Sequence, residues 1–135
     1  MTRGVKPAIT VAGASAITTI PAAPAYLAKD AKAEWRRVMP QLIERKTITD
    51  ADMGGVENYC SAIGEARQAA RIIAGEGLVV MGKTGLRKHP AVAIRADAEN
   101  RARLLAAELG LTPVSRSRPA IRDEPDPDDV SPLDI

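Results

Sequence analysis

Residues 77–84, Gly-Leu-Val-Val-Met-Gly-Lys-Thr, satisfy the spacing G-x-x-x-x-G-K-[ST]. In a phosphate loop that spacing lets backbone N–H groups at a helix N-terminus cradle phosphate while the lysine reaches the outer phosphates. The surroundings oppose that chemistry. A helical pattern precedes the motif, its four middle residues are strand formers, and Gly85 and Pro90 obstruct the helix that should follow. No later apolar strand ends in an aspartate that would hold magnesium. The stretch reads as a hairpin whose turn leaves Lys83 solvated.

The other reactive side chains are equally isolated. His89 is the single histidine, and in front of Pro90 it suits a helix start better than a nucleophilic pair. Cys60 is the single cysteine and lies on an apolar stripe, so it is assigned to the core and the chain to a reducing compartment. One Cys and one His without ligand spacing give no metal site. Asp97 and Glu99, two apart on a helix, point to different faces and cannot work as an acid–base pair. The expectation is a protein that is not an enzyme and carries no cofactor or metal.

The cations are the positive signal. Lys83, Arg87 and Lys88 cluster around the hairpin, Arg95, Arg101 and Arg103 lie along the following helix, and Arg116 and Arg118 come after its end. Neutralising a phosphate backbone needs such side chains in number rather than in a unique motif. No aromatic residue is interleaved with them, which disfavours stacking on single strands and leaves duplex binding open.

The elements that must position these residues follow from periodicity. Leu27, Ala31, Trp35, Val38 and Leu42 form one stripe of a first helix, which Pro40 should kink or divide. Thr49 is placed as the N-cap of a second helix, from Asp50 to Gly75, with Met53, Val56, Cys60, Ile63, Ala70 and Ile73 as its stripe. After the hairpin, Pro90 opens a third helix whose Ile94, Ala98, Ala102, Leu105 and Leu109 align. Gly110 suits a left-handed cap, Leu111 folds back on the last turn, and Pro113 forbids continuation.

The chain of 135 residues is 45% hydrophobic but only 2% aromatic, so alanine supplies much of the apolar surface and the core is thin. Self-association is expected to complete it. The net charge of +2 is uneven. Residues 123–135 hold six acids and no base; the remaining 11 acids against 19 Lys and Arg leave residues 1–122 at +8. The run near Met1 is interrupted by Pro7, Pro21 and Pro24 and diluted by threonine, so it reads as an arm and not as a secretory signal or membrane span. The reading is mainly α: residues 1–24 a flexible arm, 25–118 a helical core of about three helices with a short β-hairpin between the second and third, and 119–135 a disordered acidic tail.

Trp35-x-x-Val38-Met39-Pro40-x-Leu42, Thr49-x-x-Asp52, Tyr59-Cys60, the hairpin, His89-Pro90 and Leu109-Gly-Leu-Thr-Pro-x-Ser-Arg116 together resemble the phage terminase small subunits over about residues 24–118. The chain departs from that group in lacking Gly-Asn-Pro in its arm and in having Lys46-Thr47 where a turn glycine is usual. The resemblance implies a homo-oligomeric ring, recognition of double-stranded viral DNA, and recruitment of a large subunit that owns the ATPase and nuclease, all in the cytoplasm of the infected bacterial host. On that reading the tail would bind the large subunit through Asp123, Glu124, Asp126, Asp128 and Asp129, with Val130, Leu133 and Ile135 as apolar anchors. The alternative is a small helical transcriptional regulator in which residues 47–52 form the turn before a recognition helix. Against it, that helix would open with Asp50, Asp52, Gly54 and Gly55, acidic and small where base edges must be reached.

Overall fold

The computed structural model describes residues 16–117. Helix α1 spans Lys29–Glu44, and a single 3-10 turn at Asp50–Asp52 leads into α2, Met53–Glu76. Strands β1, Val79–Gly82, and β2, Gly85–Lys88, pair antiparallel, and α3, Pro90–Glu108, is followed by a short α4, Pro113–Ser117. The architecture is mainly helical, with the hairpin between the second and third helices.

Helix α2 is the centre of the packing, with α1 on one side and α3 on the other. The stripe Leu27, Ala31, Trp35, Val38 and Leu42 is buried throughout. On α2, Val56, Cys60 and Ile73 are buried as the spacing predicts, but so are Tyr59, Ala62, Gly64, Ala66 and Ala69. A helix packed on two sides buries two stripes, and the second one here is made of small residues. Gly64 shows how close the backbones come, since a Cβ there would lie 3.1 Å from the Ala31 nitrogen and 3.2 Å from its Cβ.

Of the two outcomes expected at Pro40, a kink or a division, the division does not occur: Pro40 sits inside α1, which runs on to Glu44. A proline in a helix interior costs about 3 kcal/mol. Its neighbours Val38, Met39 and Leu42 are completely buried, and burying each contributes roughly 1.5–3 kcal/mol, so packing outweighs the missing hydrogen bond. Ile94, expected on the buried face of α3, is exposed instead, lining with Gln68 and Ile72 of α2 an open cavity beside the buried Ala91.

The helix ends are locally specified. Asp52 accepts from the Thr49 N–H at 2.9 Å and from its hydroxyl at 3.0 Å, which fixes the approach to α2. His89 caps α3, its Nδ1 accepting from the Ala91 N–H at 2.9 Å. At the far end Gly110 adopts φ +73°, its N–H bonds to the Ala107 carbonyl, and the Leu111 N–H reaches back to Ala106. That is the six-to-one, five-to-two pattern of a Schellman cap. Pro113 does stop α3 but starts α4, where the Thr112 hydroxyl accepts from the Ser115 N–H at 3.1 Å. The Ser115-Arg116-Ser117 run is therefore helical.

Helix α1 ends on a non-glycine residue in the left-handed conformation, Lys46 at φ +57°, whose N–H bonds to the Ile43 carbonyl at 3.0 Å. A lysine in this left-handed region, where glycine would be unstrained, costs on the order of 1 kcal/mol. Arg45, one residue before, donates to the carbonyl of Gly110 and so ties the end of α1 to the end of α3. Before α1, the Ile17 N–H bonds to the Ile48 carbonyl at 2.9 Å and the Trp35 indole donates to the Pro21 carbonyl at 2.9 Å. The arm expected over residues 1–24 is thus pinned to the core from residue 16 on; residues 1–15, and the tail from residue 118, lie outside the described residues.

One carboxylate is sealed inside the α1–α2 contact. Glu34 is 1% exposed and accepts from Arg37 at 2.5 and 2.8 Å and from the Tyr59 hydroxyl at 2.7 Å, with Arg67 at 3.5 Å. Burial pushes its carboxyl up, but the Arg37 and Tyr59 hydrogen bonds and the two guanidinium charges outweigh that and hold it below the usual carboxylate range. The same burial and the bond to Glu34 push the Tyr59 phenol up to about 12. Burial, with the Glu34 charge, also raises the Cys60 thiol to about 12, so it is an inert core group.

Two outcomes follow from this packing. Gly64→Ala should lower the thermal midpoint, by about 4–8 °C per kcal/mol lost, because the methyl meets backbone; Gly75→Ala, with open space around it, should raise it slightly. Equal shifts of one sign in a melting experiment would contradict the close contact. Because the folded Glu34 pKa is lowered, its contribution is present above the unfolded carboxylate pKa and lost as pH falls through the folded value. Glu34→Gln should therefore cost about 1–3 kcal/mol at neutral pH and flatten the acid limb of a stability–pH curve. An unchanged acid limb would remove Glu34 from that role.

Candidate nucleic-acid interface

The structure sorts the candidate cations by what surrounds them. Lys83 sits in the two-residue turn between β1 and β2, and Arg87 and Lys88 are exposed on β2. Among the described residues none of the three pairs with a carboxylate, and the stretch from Gly77 to Lys88 contains no acid. The G-x-x-x-x-G-K-T motif is thus a hairpin and not a phosphate loop. Gly77 ends α2 at φ +90°, and Gly85, at φ +126°, opens β2.

Arg95 and Arg101, by contrast, are engaged. Arg95 Nε lies 2.8 Å from Glu99, and Arg101 bridges Asp97 at 3.1 Å and Glu65 of α2. These pairs are exposed and each is worth little to stability, but each carboxylate cancels charge that a phosphate would otherwise meet. Arg103 donates to the neutral Asn100 side chain at 2.7 Å and keeps its charge available. Arg116 is exposed on α4 with no carboxylate partner among the described residues. Arg118 lies outside the described residues.

The free cations fall at two ends. Helix α3 has 19 residues, about 28 Å at 1.5 Å per residue, with Lys83, Arg87 and Lys88 before its start and Arg103 and Arg116 at or after its end. One subunit does not gather them into a single patch; a duplex lying along α3 would span about eight base pairs between them at 3.4 Å each.

A further group was missed. Lys29, Lys32 and Arg36 follow one another at spacings of three and four along α1, with Lys29 and Arg36 exposed and Lys32 half-buried beside Trp35. None pairs with a carboxylate among the described residues, whereas Asp30 is taken by Arg71 at 2.5 Å. The hydrogen bond from Arg71 holds the Asp30 carboxyl below its usual range. The helical spacing was readable, but the buried stripe drew attention to the other face.

His89 is used structurally: its backbone N–H bonds to Leu78 at 2.8 Å, Nδ1 caps α3, and Nε2 lies 3.4 Å from Glu76. Among the described residues no group of three or more His, Cys, Asp or Glu side chains is placed to hold a metal ion. No described helix is long and apolar enough to cross a membrane.

Residues 31–126 match the family described as phage terminase, small subunit. No curated protein matches the chain. No solved structure matches it either.

Electrostatic sorting makes a measurable difference between the two cation classes. Replacing Lys83, Arg87 and Lys88 together by glutamine should reduce the slope of log affinity for duplex against log salt by up to about 2.7, at roughly 0.9 per phosphate contact. Arg95→Gln with Arg101→Gln should change it by less than about one unit on the same scale. A reversed ranking in a fluorescence-anisotropy salt titration would show that paired arginines make the contacts.

Proposed function

The chain belongs to the phage terminase small subunit family, and on that premise we propose that it is the non-catalytic subunit that recognises double-stranded viral DNA and recruits and stimulates the large subunit for genome packaging. The observation that carries the DNA part is the set of exposed cations with no carboxylate partner among the described residues: Lys83, Arg87 and Lys88 on the hairpin, with Arg103 and Arg116 beyond α3. Such side chains position a phosphate backbone and carry no base-specific information. Lys29, Lys32 and Arg36 form a separate cationic group on α1.

The proposal places several copies in a homo-oligomeric ring. Its support is a subunit whose helices pack through alanine and glycine while Ile94 and Leu104 on α3 and Val114 on α4 remain exposed. Apolar area left in water at this density marks contacts with other chains. In the proposal the large subunit supplies ATPase and nuclease chemistry, and this chain needs neither cofactor nor metal. It works in the cytoplasm of the infected host with no membrane partner.

Residues 123–135 are the proposed tether, through Asp123, Glu124, Asp126, Asp128 and Asp129 with Val130, Leu133 and Ile135. A segment this acidic and proline-rich cannot bury enough area to fold alone and gains order on binding a basic, apolar partner surface. The regulator alternative finds no supporting feature: the approach to α2 is closed by Asp52 on Thr49, and its outward residues there are acidic or glycine.

The test uses the cognate large subunit. Full-length chain should raise its ATPase rate in the presence of duplex DNA, and truncation after Arg122 should abolish the stimulation without changing the mass of the assembly. Stimulation that survives the truncation would move the contact elsewhere, and no stimulation by the full chain would remove the recruiting role.

A further inference from the structure

Antiparallel register places Val79, Met81, Leu86 and Lys88 on one face of the hairpin, since Val79 opposes Lys88 and Met81 opposes Leu86. Val79 is 56%, Met81 76% and Leu86 72% exposed. Neither strand packs against a helix to any extent. A two-stranded hairpin with an uncovered apolar face is marginal in water, so in the working protein something covers it. Duplex DNA does not: its phosphates match Lys83, Arg87 and Lys88 but offer nothing to Met81 and Leu86.

We infer that the cover is residues 123–135 of this chain, docked on the hairpin so that its acids meet Lys88 and the turn residue Lys83 and its apolar side chains meet Val79, Met81 and Leu86. The two surfaces are opposite in charge and alike in apolar content. Residues 77–88 hold three cations and no acid, whereas 123–135 hold six acids and no cation, with Val130, Leu133 and Ile135 among them. Length allows it. From Ser117, at the end of α4, thirteen residues lead to Val130, a reach of up to about 43 Å at 3.3 Å per residue, against the roughly 28 Å of α3 that separates α4 from the hairpin.

The consequence rests on the function proposed above. The docked segment occupies the hairpin cations that DNA would use, so duplex and segment compete. Binding DNA releases the segment, and the released segment is what the large subunit would take up. Recognition of DNA and recruitment of the partner are then two sides of one exchange.

Docking is tested without DNA by zero-length carbodiimide coupling of the full chain, read by mass spectrometry. The expected product joins Lys83 or Lys88 to a carboxylate within 123–135, and Met81→Ser with Leu86→Ser, which leaves every charge in place, should abolish it. Coupling of those lysines only to other surfaces, or hairpin-to-hairpin contacts between copies, would overturn the inference. In parallel, affinity for a fluorescent 30-base-pair duplex should rise several-fold on truncation after Arg122 and also in the Met81→Ser, Leu86→Ser variant. A rise in the truncation alone would reduce the effect to net charge and overturn docking. If no variant binds duplex, the DNA reading fails while the coupling result still decides whether the segment docks.

Discussion

The rest of the molecule depends on the approach of α1 to α2 at Gly64, where no side chain separates the helix from the backbone of Ala31. With so few aromatic residues, this chain cannot hold helices together by large interdigitating side chains, and it brings backbones close through Ala31, Ala62, Gly64, Ala66 and Ala69 instead. Close approach leaves no slack in register. It sets Glu34 against Tyr59 and Arg67, and Asp30 against Arg71. It also brings the end of α1 within reach of the Schellman cap of α3, where Arg45 donates to Gly110. Small residues bury little area each, so the same constraint explains why apolar side chains are left over at the hairpin and along α3.

That geometry decides which charges remain for a partner. Glu34 takes up Arg37 and Arg67, Asp30 takes Arg71, and Glu65, Asp97 and Glu99 take Arg95 and Arg101. The helical body is therefore less basic toward a ligand than its composition suggests. Among the described residues, the cations without a carboxylate partner include those on the hairpin, Arg103 near the end of α3, Arg116 on α4, and Lys29, Lys32 and Arg36 on α1. The hairpin combines free cations with an uncovered apolar face, which makes it the part of the subunit most dependent on what else is bound.

Local signals were legible in the sequence and tertiary ones were not. The stripe from Leu27 to Leu42, the cap at His89 and the stop at Gly110-Leu111 are each written within a few residues and each stands in the structure, while Thr49 caps the 3-10 turn Asp50–Asp52 and α2 itself starts only after Asp52. The second buried face of α2 was hidden because alanine and glycine carry almost no hydrophobic periodicity. Pro40 is tolerated because its local cost is outweighed by the burial of Val38, Met39 and Leu42, of which Met39 lies off the stripe that the sequence shows. The engagement of Arg95 with Glu99 and of Arg101 with Asp97 was available as spacings of four, whereas the pairing of Arg101 with Glu65 needed the fold. Lys46 is a middle case: the missing glycine was visible, and the structure shows the lysine taking its left-handed conformation.

The central claim is that this subunit is incomplete alone and works as one member of a closed assembly on DNA. Native mass spectrometry of the full chain at moderate salt tests it most directly. The account predicts one species of roughly eight to twelve copies, set apart from the dimers and tetramers that dominate among other oligomers. A monomer or dimer that persists across protein concentration would contradict it.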